Sequence, residues 1–342
     1  MRQFDAIIIG SGQGGTPLAK KLANKGWNTA IIEKQWIGGT CINIGCTPTK
    51  TMIASAKTAY VVSQAGKLGV NVDGYSVNIK AILNRKDDVV ESFRKGAEKG
   101  LEETENLTII YGTASFMSNK SLKVSLNNGD DETLTADKIF IDVGTSPRIP
   151  KVDGLKEVGY LTSTTLMELQ EVPEHLLIVG GGYIGLEFGQ MYRRFGSKVT
   201  ILENGQRFLP EEDEDIAQEV LKFLRTEEID IRTNANLKRV ELMDGNINAT
   251  IIENEKENKI SCTHLLISAG RTPNTHSLNL QSTDIKTNDR GYIEVNDKLE
   301  TAVEGIYVIG DVKGGPEFTH IAYNDHLILL NNLFEGGQKS IT

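Results

Sequence analysis

An α/β fold is predicted for this chain, and two observations predict it. Short apolar runs rich in Ile, Leu and Val alternate with helical patterns, as buried parallel strands and their crossover helices do. In addition, one composite pattern occurs twice: a strand, a G-x-G-x-x-G loop, a helix, and a further strand ending in glutamate.

In the first copy Phe4–Ile9 reads as the strand, Gly10-Ser11-Gly12-Gln13-Gly14-Gly15 as the loop, Thr16–Lys25 as the helix and Thr29–Glu33 as the second strand. In the second copy the same roles fall to Leu176–Val179, Gly180-Gly181-Gly182-Tyr183-Ile184-Gly185, Leu186–Phe195 and Lys198–Glu203. The first glycine and the acid are 23 residues apart in both. In such a loop the first glycine makes the tight turn, the second lets a diphosphate approach the backbone, and the third lets helix and strand pack closely. The helix N-terminus then favours the phosphates, and the carboxylate accepts from the ribose hydroxyls. Two Rossmann-like dinucleotide-binding domains follow.

The second domain is inserted in the first. The pattern restarts near Val152, leaves after Gly270-Arg271-Thr272-Pro273-Asn274, and returns to a last buried strand at Gly305–Ile309. The expected boundaries are 1–151 and 276–342 for the first domain and 152–275 for the second. Between these landmarks a helix is expected with Thr47 as N-cap and Pro48 at its first position, running toward Leu68. Another spans Ile79–Glu103. Leu107–Tyr111 and short runs to Leu134 read as strands and hairpins, and Lys138–Val143 as a strand ending at Gly144-Thr145. Asp213–Arg225 reads as a helix, Leu265–Ala269 as a strand, and a last helix begins near Thr319-His320.

The length of 342 residues suits about two domains at roughly 150 residues each. A net charge of −9 argues against nucleic acid as a partner, which would need clustered Lys and Arg. No apolar run is long enough to span a bilayer, so no membrane partner is expected. Met1-Arg2-Gln3-Phe4-Asp5 leads straight into a strand without a signal-peptide core, which predicts a cytoplasmic location.

Three cysteines without a secretory signal do not describe a structural disulfide framework. Cys41 and Cys46 lie in the run Gly38-Gly39-Thr40-Cys41-Ile42-Asn43-Ile44-Gly45-Cys46-Thr47-Pro48-Thr49-Lys50. Four intervening residues are a poor zinc spacing and no second pair completes a tetrahedral site, so no metal is expected. Cys46 precedes a helix start, which favours its thiolate, and Gly45 frees the backbone to fold Cys46 back toward Cys41. The pair is either redox-active or two inert buried thiols. Cys262, alone in a strand-like run, reads as a small core residue.

The GGTCxNxGCxPTK run, together with both glycine loops, resembles the flavin- and pyridine-nucleotide-dependent disulfide oxidoreductases (glutathione reductase, dihydrolipoamide dehydrogenase and mercuric reductase) over essentially the whole chain. The resemblance implies the FAD/NAD(P)-binding fold, FAD in the first domain and NAD(H) in the second, with NADP(H) as the alternative. Glu203 repels a 2′-phosphate and so favours NADH, although Arg207 lies close by in sequence. FAD would be held by Gly10, Gly12, Gly14, Gly15, Glu33, Lys34, Gly39, Thr40 and Lys50, with Gly112, Ala114, Gly144 and Thr145 at its adenine half. Asp311 would take the ribityl chain, and the helix at Thr319 would face the pyrimidine edge. The nicotinamide nucleotide would be held by Gly180, Gly182, Tyr183, Ile184, Gly185, Glu203 and Gly270. The implied relay runs from NAD(P)H through FAD to a Cys41–Cys46 disulfide, with Cys46 as the flavin-facing thiolate and Cys41 as the exchanging thiol. Lys50 and Glu187 match the family ion pair, and Tyr183 the aromatic residue that covers the flavin. His320 reads as structural.

Details around 46–60 and 270–275 look closest to the mercuric-reductase-like branch. Family members continue into a domain that forms the homodimer interface and supplies a His–Glu pair. The histidines here (His175, His264, His276, His320 and His326) lack that context, and the chain stops at Thr342. The expectation is therefore that the usual interface is missing and that disulfide turnover is impaired. Mercuric reductases also carry a C-terminal cysteine pair that is not found here. The expected acceptor is a small disulfide or a soft metal ion. Dihydrolipoamide dehydrogenase activity and a flavoprotein redox sensor without turnover are the alternatives.

Overall fold

The computed structural model describes residues 1–341. In chain order its elements are β1 (Arg2–Ile9), α1 (Gly15–Asn24), β2 (Thr29–Glu33), α2 (Gly39–Asn43), α3 (Cys46–Gln64), α4 (Ile79–Glu102), β3 (Leu107–Ser118), β4 (Ser121–Leu126), β5 (Asp131–Ile141), β6 (Thr145–Pro147), α5 (Leu155–Val158) and α6 (Ser163–Leu166). They continue with β7 (His175–Val179), α7 (Tyr183–Phe195), β8 (Lys198–Leu202), α8 (Glu214–Thr226), β9 (Ile229–Arg232), β10 (Ala235–Met243), β11 (Asn246–Glu253), β12 (Lys256–Cys262), β13 (His264–Ile267), β14 (Arg271–Pro273), β15 (Ile306–Val308) and α9 (Thr319–Phe334). Contacts divide the chain into two units. One holds Met1–Cys46, Val90–Ser146 and the chain from Thr272 onward; the other holds Thr47–Val89 and Pro147–Arg271.

The first unit is built on a parallel sheet in the order β3-β2-β1-β5-β15. β4 pairs antiparallel with the far half of β3 and the near half of β5. Both faces of the parallel part are covered, so its central stretches Ala6–Ile9, Ala30–Ile32 and Ile139–Ile141 are apolar without a break. Ile7, Ile9, Ile32, Ile139 and Ile141 face one core; Ala6, Ile8, Ile31 and Phe140 face the other, with Leu18 and Leu22 of α1. This period-two division follows from the pleat. The second unit repeats the plan with a parallel sheet β13-β7-β8-β9 and adds the antiparallel sheet β10-β11-β12. Leu176, Ile178 and Ile201 face α7 residues Phe188 and Tyr192, while Leu177, Leu202 and Ile267 face β11 residues Ala249 and Ile251. The α/β class and both parallel sheets are those the sequence predicts.

Three local departures have physical causes. Thr47 is not an N-cap: α3 already begins at Cys46, and Thr47 accepts at its carbonyl from the Thr51 hydroxyl at 2.8 Å. An unexpected short helix, α2, ends at Asn43 and leaves only Ile44 and Gly45 as a link, which brings the next helix forward. Pro48 remains in the first turn, where its missing N–H costs nothing. α7 starts at Tyr183 rather than Leu186, because the Leu186 N–H already donates to the Gly182 carbonyl at 3.0 Å. Finally, residues 47–89 group with 147–271, since Met52, Ala56, Ile79 and Leu83 join the core that contains Leu176 and Phe188.

Candidate functional site

The two glycine loops are built alike, each within its own unit. Gly10 and Gly180 have φ of +102° and +112°, in the left-handed region that favours glycine. A Cβ on either would lie 2.3 Å from a carbonyl, that of Asp142 or of Ser268. A Cβ on the third glycine, Gly15 or Gly185, would lie 2.4 or 2.1 Å from the carbonyl of the first. The terminal acids hold the loops in the same way. Glu33 accepts from the Ser11 N–H and hydroxyl at 3.1 and 2.6 Å, and from the Gln35 N–H at 2.9 Å. Glu203 accepts from the N–H groups of Gly181 and Gly205 at 3.0 and 2.8 Å.

The first loop fits a diphosphate. The N–H groups of Gly12, Gln13 and Gly14 have no acceptor among the described residues and sit at the N-terminus of α1. Gly39 closes on this loop so tightly that a Cβ there would be 2.8 Å from the Gly12 Cα. In the second loop a Cβ on Gly182 would meet nothing within 4 Å, which leaves room beside the start of α7.

The thiol pair belongs to the first unit. Cys41 lies in α2 and Cys46 opens α3; a Cβ on Gly45 between them would be 2.9 Å from the Thr40 carbonyl. Cys41 is a free thiol. The Cys41 S–H donates to the Cys46 sulfur, and this bond together with burial pushes the Cys41 thiol well above its ordinary range. The Cys46 N–H and the Thr319 hydroxyl, both directed at the Cys41 sulfur, oppose that rise. Thr319 Oγ1 also lies 3.3 Å from the Cys46 sulfur, so one hydroxyl touches both. Cys46 is exposed and Cys41 half-buried. Cys46 heads its helix, while Cys41 sits inside α2.

The remaining expected residues fall in two groups. In the first unit Thr145 donates to Asp311 at 3.2 Å, and Gly144 accepts at its carbonyl from the Asn274 N–H. Ala114 is buried in the core and a Cβ on Gly112 would strike the Ser125 carbonyl at 2.6 Å, so this stretch offers a ligand only its main chain. Lys34 is exposed and its carbonyl accepts from Asn127 at 3.3 Å. In the second unit Lys50 pairs with Glu187, both solvent-facing. Tyr183 is exposed and its hydroxyl donates to Glu212, Ile184 packs on the core, and Gly270 accepts at its carbonyl from the Arg148 N–H at 2.9 Å. Among the described residues no His, Cys, Asp and Glu group could hold a metal ion, and no helix is long and apolar enough to cross a membrane.

Sequence reasoning missed Asn43 and Arg94. Asn43 donates to the Ile37 and Gly39 carbonyls at 3.0 and 2.9 Å, and so ties the approach to Cys41. Its own oxygen accepts from Arg94 Nε at 2.6 Å, and the Arg94 guanidinium lies 4.9 Å over the Trp36 ring. The signal available was an Asn between two cysteines; its partner is 51 residues away. Arg94→Ala is expected to slow reduction of the Cys41–Cys46 pair about tenfold to a hundredfold by loosening this loop. Asn43→Ala should do the same, and the double variant should be no worse than either single one. Anaerobic stopped-flow counting of new thiols checks this.

Comparison with known proteins follows the same lines. The model of the family described as pyridine nucleotide-disulphide oxidoreductase matches residues 4–325. The probable pyridine nucleotide-disulfide oxidoreductase RclA of Escherichia coli (strain K12) is 38% identical over 99% of this chain and 73% of its own length. A mercuric reductase of Streptomyces lividans is 34% identical over 99% and 71%, and a dihydrolipoyl dehydrogenase of Chlamydia pneumoniae 33% over 97% and 70%. Among solved structures, the Cu(II) complex of the HOCl-induced flavoprotein disulfide reductase RclA from Escherichia coli superposes with a TM-score of 0.90 at 36% identity, over 100% of this chain and 73% of that one. Sharing its family model, its relatives and its fold, this chain belongs to the pyridine nucleotide-disulphide oxidoreductase family.

Proposed function

We propose that the chain passes electrons from NADH by way of FAD to the Cys41–Cys46 pair, and from there to a small disulfide or a metal ion. As a family member it is a flavin-dependent oxidoreductase that uses a pyridine nucleotide. The observation that carries the finer reading is a thiol pair bridged by one hydroxyl, in the same unit as a diphosphate-shaped glycine loop. FAD, when bound, supplies two-electron exchange between a nicotinamide and a dithiol.

The residues divide the labour. Residues 1–151 and 276–342 are assigned to FAD and 152–275 to the nicotinamide nucleotide. Gly10, Gly12, Gly14, Gly15 and Gly39 admit the FAD diphosphate, Glu33 takes the ribose, and Lys34 and Thr40 flank it. The main chain at Gly112 and Ala114, with Gly144 and Thr145, meets the adenine half, and Asp311 holds the ribityl hydroxyls. Gly180, Gly182, Ile184, Gly185 and Gly270 shape the second site, with Tyr183 at its entrance. Lys50 and Glu187 pair with each other and are assigned the part of the family ion pair. Because Cys41 keeps its proton by donating it to Cys46, the charge of the reduced pair sits on Cys46. Thr319 then donates to that thiolate and keeps the two sulfurs in register. Relatives of this chain include a disulfide reductase and mercuric reductases, which supports an acceptor drawn from those two classes.

NADH is favoured by Glu203, whose carboxylate is aimed by two backbone N–H groups. Arg207, the nearby cation, is engaged with the Glu212 carbonyl. Anaerobic titration of the flavin-loaded protein tests the whole reading. NADH should reduce it faster than NADPH and expose two new thiols, and Glu203→Ala should narrow the preference by about tenfold. Flavin bleaching without new thiols would overturn the relay.

A further inference from the structure

A carboxylate lies beneath the first glycine loop, and the second loop has none at that place. Asp142 follows β5 and Ser268 follows β13, and their carbonyls stand equally close to Gly10 and Gly180. Their side chains act differently. Asp142 is 7% exposed; its Oδ2 accepts from the Gly15 N–H at 2.7 Å and lies 2.7 Å from where a Cβ on Gly12 would be. The Ser268 hydroxyl donates to the Val179 and Gly180 carbonyls, both at 3.1 Å. The N-terminus of α1 therefore already holds an acid, whereas α7 has a neutral hydroxyl in the corresponding place.

A helix N-terminus favours one anion through its unpaired N–H groups and its dipole. The diphosphate of a dinucleotide brings a second to the same helix end. Two like charges gathered at one buried helix end favour a state in which one of them takes up a proton. The surroundings of Asp142 push the same way. Glu33 at the end of β2, Asp311 on the turn Gly310–Lys313, and Asp325 of α9 all face it. Lys313, the cation on that turn, is 3.3 Å from Asp325 and pairs with it. Burial and the three acids hold the Asp142 carboxyl well above the usual carboxylate range, against the pull of the Gly15 N–H.

We propose that Asp142 makes FAD binding proton-linked: the diphosphate binds the chain with Asp142 protonated, and an ionised Asp142 takes one proton from solvent as FAD binds. This rests on the assignment of the first glycine loop to FAD. The two loops then differ in kind, since nucleotide binding at the Gly180 loop involves no such proton.

The test uses the whole chain freed of flavin, titrated with FAD from pH 6 to pH 9. Flavin fluorescence gives Kd, and calorimetry in two buffers of different ionisation enthalpy gives proton uptake. The wild type should weaken toward tenfold per pH unit in the upper part of the range and take up as much as one proton per FAD. Asp142→Asn should abolish both effects. Asp142→Ser, which copies the second loop, serves if the first variant does not fold, and the wild-type calorimetry stands without any variant. A flat Kd with no proton uptake overturns the proposal, as does a pH dependence unchanged in the variants. Failure to bind FAD at any pH would instead remove the loop assignment beneath it.

Discussion

Replacing Cys46 with serine should abolish NADH-dependent disulfide reduction, by about three orders of magnitude or more, while the protein still binds flavin. Three decades correspond to about 4 kcal/mol of lost transition-state stabilisation. Serine can neither close a bridge to Cys41 nor carry negative charge at neutral pH, and the proposed relay needs that charge on Cys46. The Cys41 proton is held in a bond to the Cys46 sulfur, and the Cys46 residue heads α3, where a helix dipole favours an anion. Cys41→Ser should also stop turnover, but by a different route. It leaves a thiolate at Cys46, so a long-wavelength charge-transfer absorption should persist in Cys41→Ser and vanish in Cys46→Ser. Absorption spectra of the two variants, each loaded with oxidised FAD and recorded under argon before any NADH is added, decide the matter. A band retained in Cys46→Ser would assign the roles the other way round.

What could be read from the sequence, and what could not, divides along the range of the interactions. The α/β class and both strand–loop–helix units were legible because their glycines answer local backbone demands. Gly10 and Gly180 need positive φ, and Gly15 and Gly185 need helix and strand to touch, so spacing alone reveals them. Helix α2 was not legible, because five residues carry no periodicity. Asp142 was passed over as the end of an apolar strand. Its importance comes from pairing β5 beside β1, which brings it under a loop 127 residues earlier in the chain. The Asn43–Arg94 bond and the Thr319 bridge to both sulfurs are likewise products of tertiary structure. The thiol loop was recognised as a motif, but what holds it was visible only once α4 and α9 were in place.

The likeness of the two loops leads to a paired experiment with opposite outcomes. Gly15→Ala and Gly185→Ala are the same chemical change at the same place in two copies of one device. In the first, a Cβ would sit 2.4 Å from the Gly10 carbonyl and 2.8 Å from Asp142 Oδ2; in the second, 2.1 Å from the Gly180 carbonyl. No Cβ tolerates backbone at that range, so each helix must back away from its strand, at about 1–3 kcal/mol for overpacking of this kind. The displaced helix N-terminus no longer meets a diphosphate at hydrogen-bond distance. Gly15→Ala should therefore purify without flavin and regain little on incubation with FAD. Gly185→Ala should purify yellow and be bleached normally by dithionite, yet lose about a hundredfold in kcat/KM for NADH, or about 2.7 kcal/mol. Flavin content by absorbance and NADH-driven bleaching under argon separate the two. If Gly185→Ala lost flavin while Gly15→Ala kept it, the assignment of the loops would have to be exchanged. If both variants lost flavin, the second site could not be treated as energetically separate from the first.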